Sequence, residues 1–130
     1  VLQSNTERIM KFGRKVNPVL GQAAQAGRQG ERAGKVWFVT RHPGAEKWAR
    51  RQGLVIDVWC DHFKITDINQ NDTVIGVLPV HLAAAVCRRG ARYFNLTLDL
   101  PRSARGRELT AKEIARYGAR LEEYRVTEKT

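Results

Sequence analysis

The sequence predicts an α/β domain, a Rossmann-like three-layer sandwich with a mostly parallel central sheet, and three observations carry that prediction. Short apolar runs rich in Val and aromatic residues recur along the chain, beginning with Val36-Trp-Phe-Val-Thr40. They alternate with segments of helical length and pattern, as expected for parallel strands joined by crossovers and covered on both faces. Glycines close those segments at Gly53, Gly90 and Gly118, where a left-handed residue ends a helix without steric cost.

In order, residues 35–40 read as a buried strand. Residues 44–52 read as a helix with Ala45, Trp48 and Ala49 on one face and Glu46, Lys47, Arg50 and Arg51 elsewhere. Residues 54–60 follow as a second strand. Residues 61–72 are polar and read as a loop with a short helical turn, and Asn69-Gln-Asn-Asp72 marks a tight turn at its end. Residues 73–78 form a third strand, 79–89 an apolar helix and 92–98 a fourth strand. After a loop over 99–107, residues 110–117 read as a helix in which Thr110 and Glu113 have the spacing of a capping box. Residues 121–127 supply a closing strand. Trp48 and Trp59 are expected in the core, and Trp37 in the core or at a dimer contact.

Residues 1–34 differ from the rest, with five glycines, intervening Gln and Ala and few large apolar groups. They read as a flexible N-terminal arm or an added extension, with the folded domain spanning 35–130. A length of 130 residues suits one domain with a real core. No apolar run approaches the about 20 residues needed to span a bilayer, and the first residues lack the basic flank and apolar core of a signal peptide. Cys60 and Cys87 are far apart and outside any metal spacing, so a reduced, cytoplasmic protein with two inert core thiols is expected.

The net charge of +10 divides unevenly: residues 1–34 hold six Lys/Arg against two acids, and the rest hold seventeen against eleven. A basic surface attracts polyanions. Arg outnumbers Lys in the folded part, and the guanidinium fork suits phosphate.

In an open α/β sheet, ligands bind beyond the carboxyl ends of the strands. Three loops converge there: Thr40-Arg41-His42-Pro43-Gly44, Gly76-Val77-Leu78-Pro79, and Asp99-Leu100-Pro101-Arg102 with Ser103 and Arg105 after it. Two of them feed helix N-termini, where free N–H groups favour an anion. Arg41 is placed to clamp a phosphate bidentately. His42 either moves a proton near neutral pH or packs the turn. Thr40 either donates its hydroxyl to a ligand or simply ends the strand. Asp99 reads as a turn-former before an acid, and the segment 102–107 as an anion-binding flap or a solvated loop. His81 lies near a helix start, and His62 has no partner in this reading. There is no GxxxxGK[ST] loop, no GxGxxG fingerprint and no metal-ligand spacing, so no metal and no cofactor are expected.

Four blocks carry a resemblance: 36–45 (Val-Trp-Phe-Val-Thr-Arg-His-Pro-Gly-Ala), 72–80 (Asp-Thr-Val-Ile-Gly-Val-Leu-Pro-Val), 92–101 (Arg-Tyr-Phe-Asn-Leu-Thr-Leu-Asp-Leu-Pro) and 118–126 (Gly-Ala-Arg-Leu-Glu-Glu-Tyr-Arg-Val). Taken in order over about residues 35–127, they resemble the Csx-sixteen family of type III CRISPR accessory proteins. The arm has no counterpart there, and Asn71-Asp72 stands where Gly-Asp is expected. The resemblance implies a CARF-like fold and a ring nuclease that cleaves cyclic tetra-adenylate, an RNA second messenger, without a metal. Attack by the ribose 2′-hydroxyl would leave a linear product with a 2′,3′-cyclic phosphate. It implies Arg41 on the scissile phosphate, and His42 as the acid on the leaving 5′-oxygen. Thr40, Gly44 and Gly76 would position the ring, with Leu78, Pro79 and Asp99 in the same pocket and Arg102 and Ser103 covering it. It further implies a homodimer with the ligand on its axis; no membrane and no DNA partner is expected. A sensor or sponge that binds the ring without cutting it is the alternative. The strand-Arg-His turn is also similar to that of histidine phosphatases, but Pro43 interrupts that motif and no histidine follows His81.

Overall fold

The structure, a computed structural model, describes residues 34–129; the arm expected over 1–34 lies, but for Gly34, outside the described residues. The strands are β1 (Val36–Val39), β2 (Val58–Cys60), β3 (Thr73–Gly76), β4 (Arg92–Thr97) and β5 (Arg120–Tyr124). The helices are α1 (Pro43–Arg51), α2 (Val80–Arg88) and α3 (Ala111–Arg116), with short 3₁₀ turns at Ile65–Asp67 and Arg102–Ala104. One sheet runs in the order β2-β1-β3-β4-β5. The first four strands are parallel and β5 returns antiparallel to β4. This is the Rossmann-like α/β sandwich expected from the alternation of elements.

Strand alternation builds the two cores. Val36, Phe38, Ile75, Phe94 and Leu96 face α1 and α3, meeting Ala45, Trp48, Ala49 and Ile114. Val74 and Tyr93 face the other way, against Ala83 and Val86 of α2 and Ile68 of the loop before β3. Burying each large apolar side chain of this kind stabilises the fold by about 1.5–3 kcal/mol. Trp48 lies in the core as expected. Trp59 is half-buried, tilted on Phe38 at a centroid distance of 5.2 Å, with the Arg50 guanidinium 4.3 Å above it.

The second strand is shorter than expected. Leu54 is folded back onto α1, its N–H donating to the Ala49 carbonyl at 3.2 Å, so the chain first reaches β1 at Asp57, whose N–H donates to the Val36 carbonyl at 2.8 Å, and the strand itself begins at Val58. The chain then crosses to the far side of β1 without a helix. Its closing turn holds Asn71 at φ 75°, a left-handed conformation that Gly or Asn supplies. The buried Asp72 carboxylate pins this corner, accepting from the N–H groups of Lys35 and Asn69, both at 2.9 Å, and from Trp37 Nε1 at 3.1 Å. The capping box of α3 is formed: Thr110 Oγ1 accepts from the Glu113 N–H at 3.1 Å and Glu113 accepts from the Thr110 N–H at 3.0 Å. Neither cysteine is a core residue; both are free and half-buried. No helix among the described residues is long and apolar enough to cross a membrane.

Candidate functional site

From β1 the chain moves outward to β2 and then back across to β3, so the order reverses between β1 and β3. A crevice opens at the carboxyl ends of strands flanking such a reversal. Here it is a cleft of about 950 Å³, at the upper end of the usual ligand-site range.

The first wall is the turn after β1. Thr40 stays in the ladder through its N–H, which donates to the Cys60 carbonyl at 2.8 Å. Its hydroxyl accepts from the His42 N–H at 3.1 Å, a local turn typical of Thr. His42 is the N-cap residue of α1 in extended conformation, and Pro43 opens the helix, where its missing N–H costs nothing. Arg41 and His42 both line the cleft and are exposed. The Arg41 guanidinium has no ion pair among the described residues. It is therefore available to an anion.

The second wall is the turn after β3. Gly76 is paired with Val39, and a Cβ on it would stand 2.6 Å from the Val39 carbonyl oxygen. Only glycine lets the two strand ends approach this closely at the reversal. Val77 is exposed, and Leu78 and Pro79 turn into α2 along the cleft.

The remaining predicted residues lie elsewhere. Gly44 faces a smaller hollow between α1 and α3. A Cβ there would come within 2.1 Å of the Leu109 carbonyl oxygen, so this glycine lets α1 close against the segment before α3. Asp99 is ion-paired with Arg120 at 3.1 Å, outside the cleft lining. Arg102 and Ser103 sit in the exposed 3₁₀ turn and do not line the cleft. From that connection the cleft takes Ala104, Gly106 and Arg107 instead. Arg107 is held by Glu113 at 3.0 Å, which raises its pKa while keeping the Glu113 carboxyl below the usual range.

Sequence reasoning missed the turn after β2. Asp61, His62 and Phe63 line the cleft, and His62 does have a partner: its Nδ1 lies 2.9 Å from Asp61 Oδ1. The signal was present, because Asp-His directly follows an apolar strand just as Arg-His follows β1. Also missed was the apolar floor, made by Leu82, Leu96, Leu98 and Leu109. The cleft therefore joins apolar surface, suited to flat ring systems, with a rim of one unpaired guanidinium and two imidazoles. Burial, then the nearby Asp61 and Asp67 charges, push the Cys60 thiol up, so it is a poor nucleophile. Among the described residues no cluster of three His, Cys, Asp or Glu side chains is arranged to hold a metal ion.

A family model described as "Putative CRISPR-associated protein (Cas_VVA1548)" matches residues 37–127, which takes in every described strand and helix apart from Val36 at the start of β1, and every residue that lines the cleft. No curated protein and no solved structure matches the chain.

Proposed function

The chain belongs to this family of CRISPR-associated proteins, and from that premise we propose that it is a metal-independent ring nuclease with a CARF-like fold that cleaves cyclic tetra-adenylate and so switches off type III CRISPR signalling. The observation that carries the proposal is the unpaired Arg41 guanidinium beside His42 at the strand reversal, above a leucine-rich floor. A cyclic oligoadenylate asks for both halves of that arrangement: cations for its phosphates and apolar walls for its adenines.

In the proposed reaction a ribose 2′-oxygen attacks the adjacent phosphorus in line and the 5′-oxygen leaves, giving a 2′,3′-cyclic phosphate. The nucleophile belongs to the substrate, so the protein has to supply geometry, charge and proton transfer. Arg41 neutralises the phosphate, and His42 donates a proton to the leaving 5′-oxygen. Thr40 and Gly76 set the turns against which the ring rests, with Leu78 and Pro79 along its side. A ring of four identical nucleotides has two-fold symmetry and fits across an isologous dimer, so the functional unit in this proposal is a homodimer.

The test is incubation of the protein with cyclic tri-, tetra- and hexa-adenylate in EDTA, with products resolved by chromatography. Linear products ending in a 2′,3′-cyclic phosphate are expected from the tetra-adenylate. Bound but intact ring after excess protein would replace the nuclease with a sensor or sponge.

A further inference from the structure

We propose that His62, oriented by Asp61, is the general base of the site and faces His42 across the substrate as the second half of a two-histidine pair. This rests on the ring-nuclease reading and completes it, since that reading leaves the proton of the attacking 2′-hydroxyl without an acceptor.

The geometry starts from strand register. Val39 pairs with Cys60, and the Thr40 N–H donates to the Cys60 carbonyl at 2.8 Å. The turns Arg41-His42 and Asp61-His62 therefore leave neighbouring parallel strands at the same level, about 4.8 Å apart in the pairing direction. Both histidines line the one cleft. They differ in what holds them. The His42 ring has no partner among the described residues, whereas His62 Nδ1 lies 2.9 Å from a carboxylate oxygen of Asp61. A carboxylate accepting from Nδ1–H fixes the tautomer that leaves Nε2 bare, which is the form of a base. The His62 side chain is 87% exposed, so Nε2 is open to a ligand.

The protons then balance. The bond from the 2′-oxygen to phosphorus forms as the 2′ proton passes to His62 Nε2. The bond from phosphorus to the 5′-oxygen breaks as protonated His42 gives that oxygen its proton. The two rings afterwards return to their starting states by exchange with water. The charged and titratable groups around the pair are Asp61 beside His62, Arg41 beside His42, and Arg107 and Glu108 from the connection between β4 and α3.

The experiment measures single-turnover cleavage of cyclic tetra-adenylate against pH for the wild-type chain, His62→Asn, Asp61→Asn and His42→Asn, with ring binding and thermal melting followed separately. The wild type is expected to give a bell: the rate rises as His62 loses its proton and falls as His42 loses its own. His62→Asn is expected to lose about 10²–10⁴-fold in rate, to abolish the acid limb, and to bind and melt as the wild type does. Asp61→Asn keeps the base but removes the carboxylate that orients its ring, so a smaller loss of rate at unchanged ring binding is expected. A His62→Asn rate close to wild type with the bell intact, or a loss of rate matched by an equal loss of binding, would overturn the proposal while leaving the nuclease standing. A wild-type protein that binds the ring and never cuts it overturns the parent reading, and the base with it.

Discussion

The phenol of Tyr93 accepts a hydrogen bond from the backbone N–H of Leu78 at 3.1 Å, tying the core of β4 to the turn that forms one wall of the cleft. The same oxygen lies 3.2 Å from the Gly76 carbonyl and within reach of Asn95 Oδ1. Burial pushes the Tyr93 hydroxyl up in pKa, so it stays a neutral donor and acceptor. Tyr93→Phe is expected to preserve the packing against α2 and strand the Leu78 N–H, at a cost of about 1–3 kcal/mol. Urea unfolding measures that cost, and hydrogen exchange at Leu78 should rise with it. Unchanged stability together with unchanged exchange would show that the turn holds itself.

Gly44 makes a second, sharper demand. Its Cβ position lies 2.1 Å from a backbone oxygen, that of Leu109, and a backbone atom at the base of a helix cannot move aside as a side chain tip can. Gly44→Ala should therefore force α1 away from the segment before α3. The expected loss is about 2–3 kcal/mol, read as a lower urea midpoint at unchanged m-value. Because Ala is the better helix former, Gly44→Ala gains intrinsic propensity, so any net loss is the crowding itself.

Three carboxylates give the fold an acid limb. Glu113 is held below the usual range by Arg107 and the Thr110 N–H, Glu122 by the Thr97 hydroxyl first, and Glu123 by Arg92. Each has a folded pKa below its unfolded one, so its contribution is complete above the ordinary value of 4.5 and is lost as pH falls through the folded values. The melting temperature is expected to be flat from neutral pH to about pH 5 and to decline below it. Because Glu122 and Glu123 lie on β5 and Glu113 on α3, exchange of β5 amides should rise before that of β1 or β3. Uniform acid unfolding would show that these contacts are not where the limb originates.

The order of elements was legible in the sequence because each one is locally consistent. Val36-Trp-Phe-Val39 can only be a strand buried on both faces, and Thr110 with Glu113 announces its helix. What was not legible depended on partners distant in sequence. Residues 54–56 have strand-like composition, yet Leu54 bonds back to α1 and the chain reaches β1 only at Asp57. The antiparallel direction of β5 follows from where α3 ends, which no periodicity encodes. At the site, Arg41, His42 and Gly76 were found because they follow strands in short, punctuated turns. Asp61 and His62 sit in the same position after β2, but the long polar loop that follows disguised them as part of a connection. Asp99, Arg102 and Ser103 were placed by strand order alone. The long link from β4 to α3 instead lays Leu98 and Leu100 and then Ala104, Gly106 and Arg107 along the cleft, with Asp99, Arg102 and Ser103 turned out between them.

Arg41 is where the proposed chemistry is most exposed to test. Its guanidinium makes no ion pair among the described residues, so Arg41→Ala should leave the melting temperature within the range of ordinary surface changes, about 0.5 kcal/mol. Its effect on cleavage of cyclic tetra-adenylate should be far larger, about 10²–10³-fold, the cost of removing one donor aimed at developing charge. Arg41→Lys restores the charge without the planar fork. It is therefore expected to recover binding more fully than rate, because a point charge holds a phosphate but does not fix the in-line angle. Single-turnover rates and ring affinities measured on the same three proteins separate those effects. An Arg41→Ala protein that cuts at the wild-type rate would remove Arg41 from the phosphate and leave Arg107, already committed to Glu113, as the remaining guanidinium in the cleft.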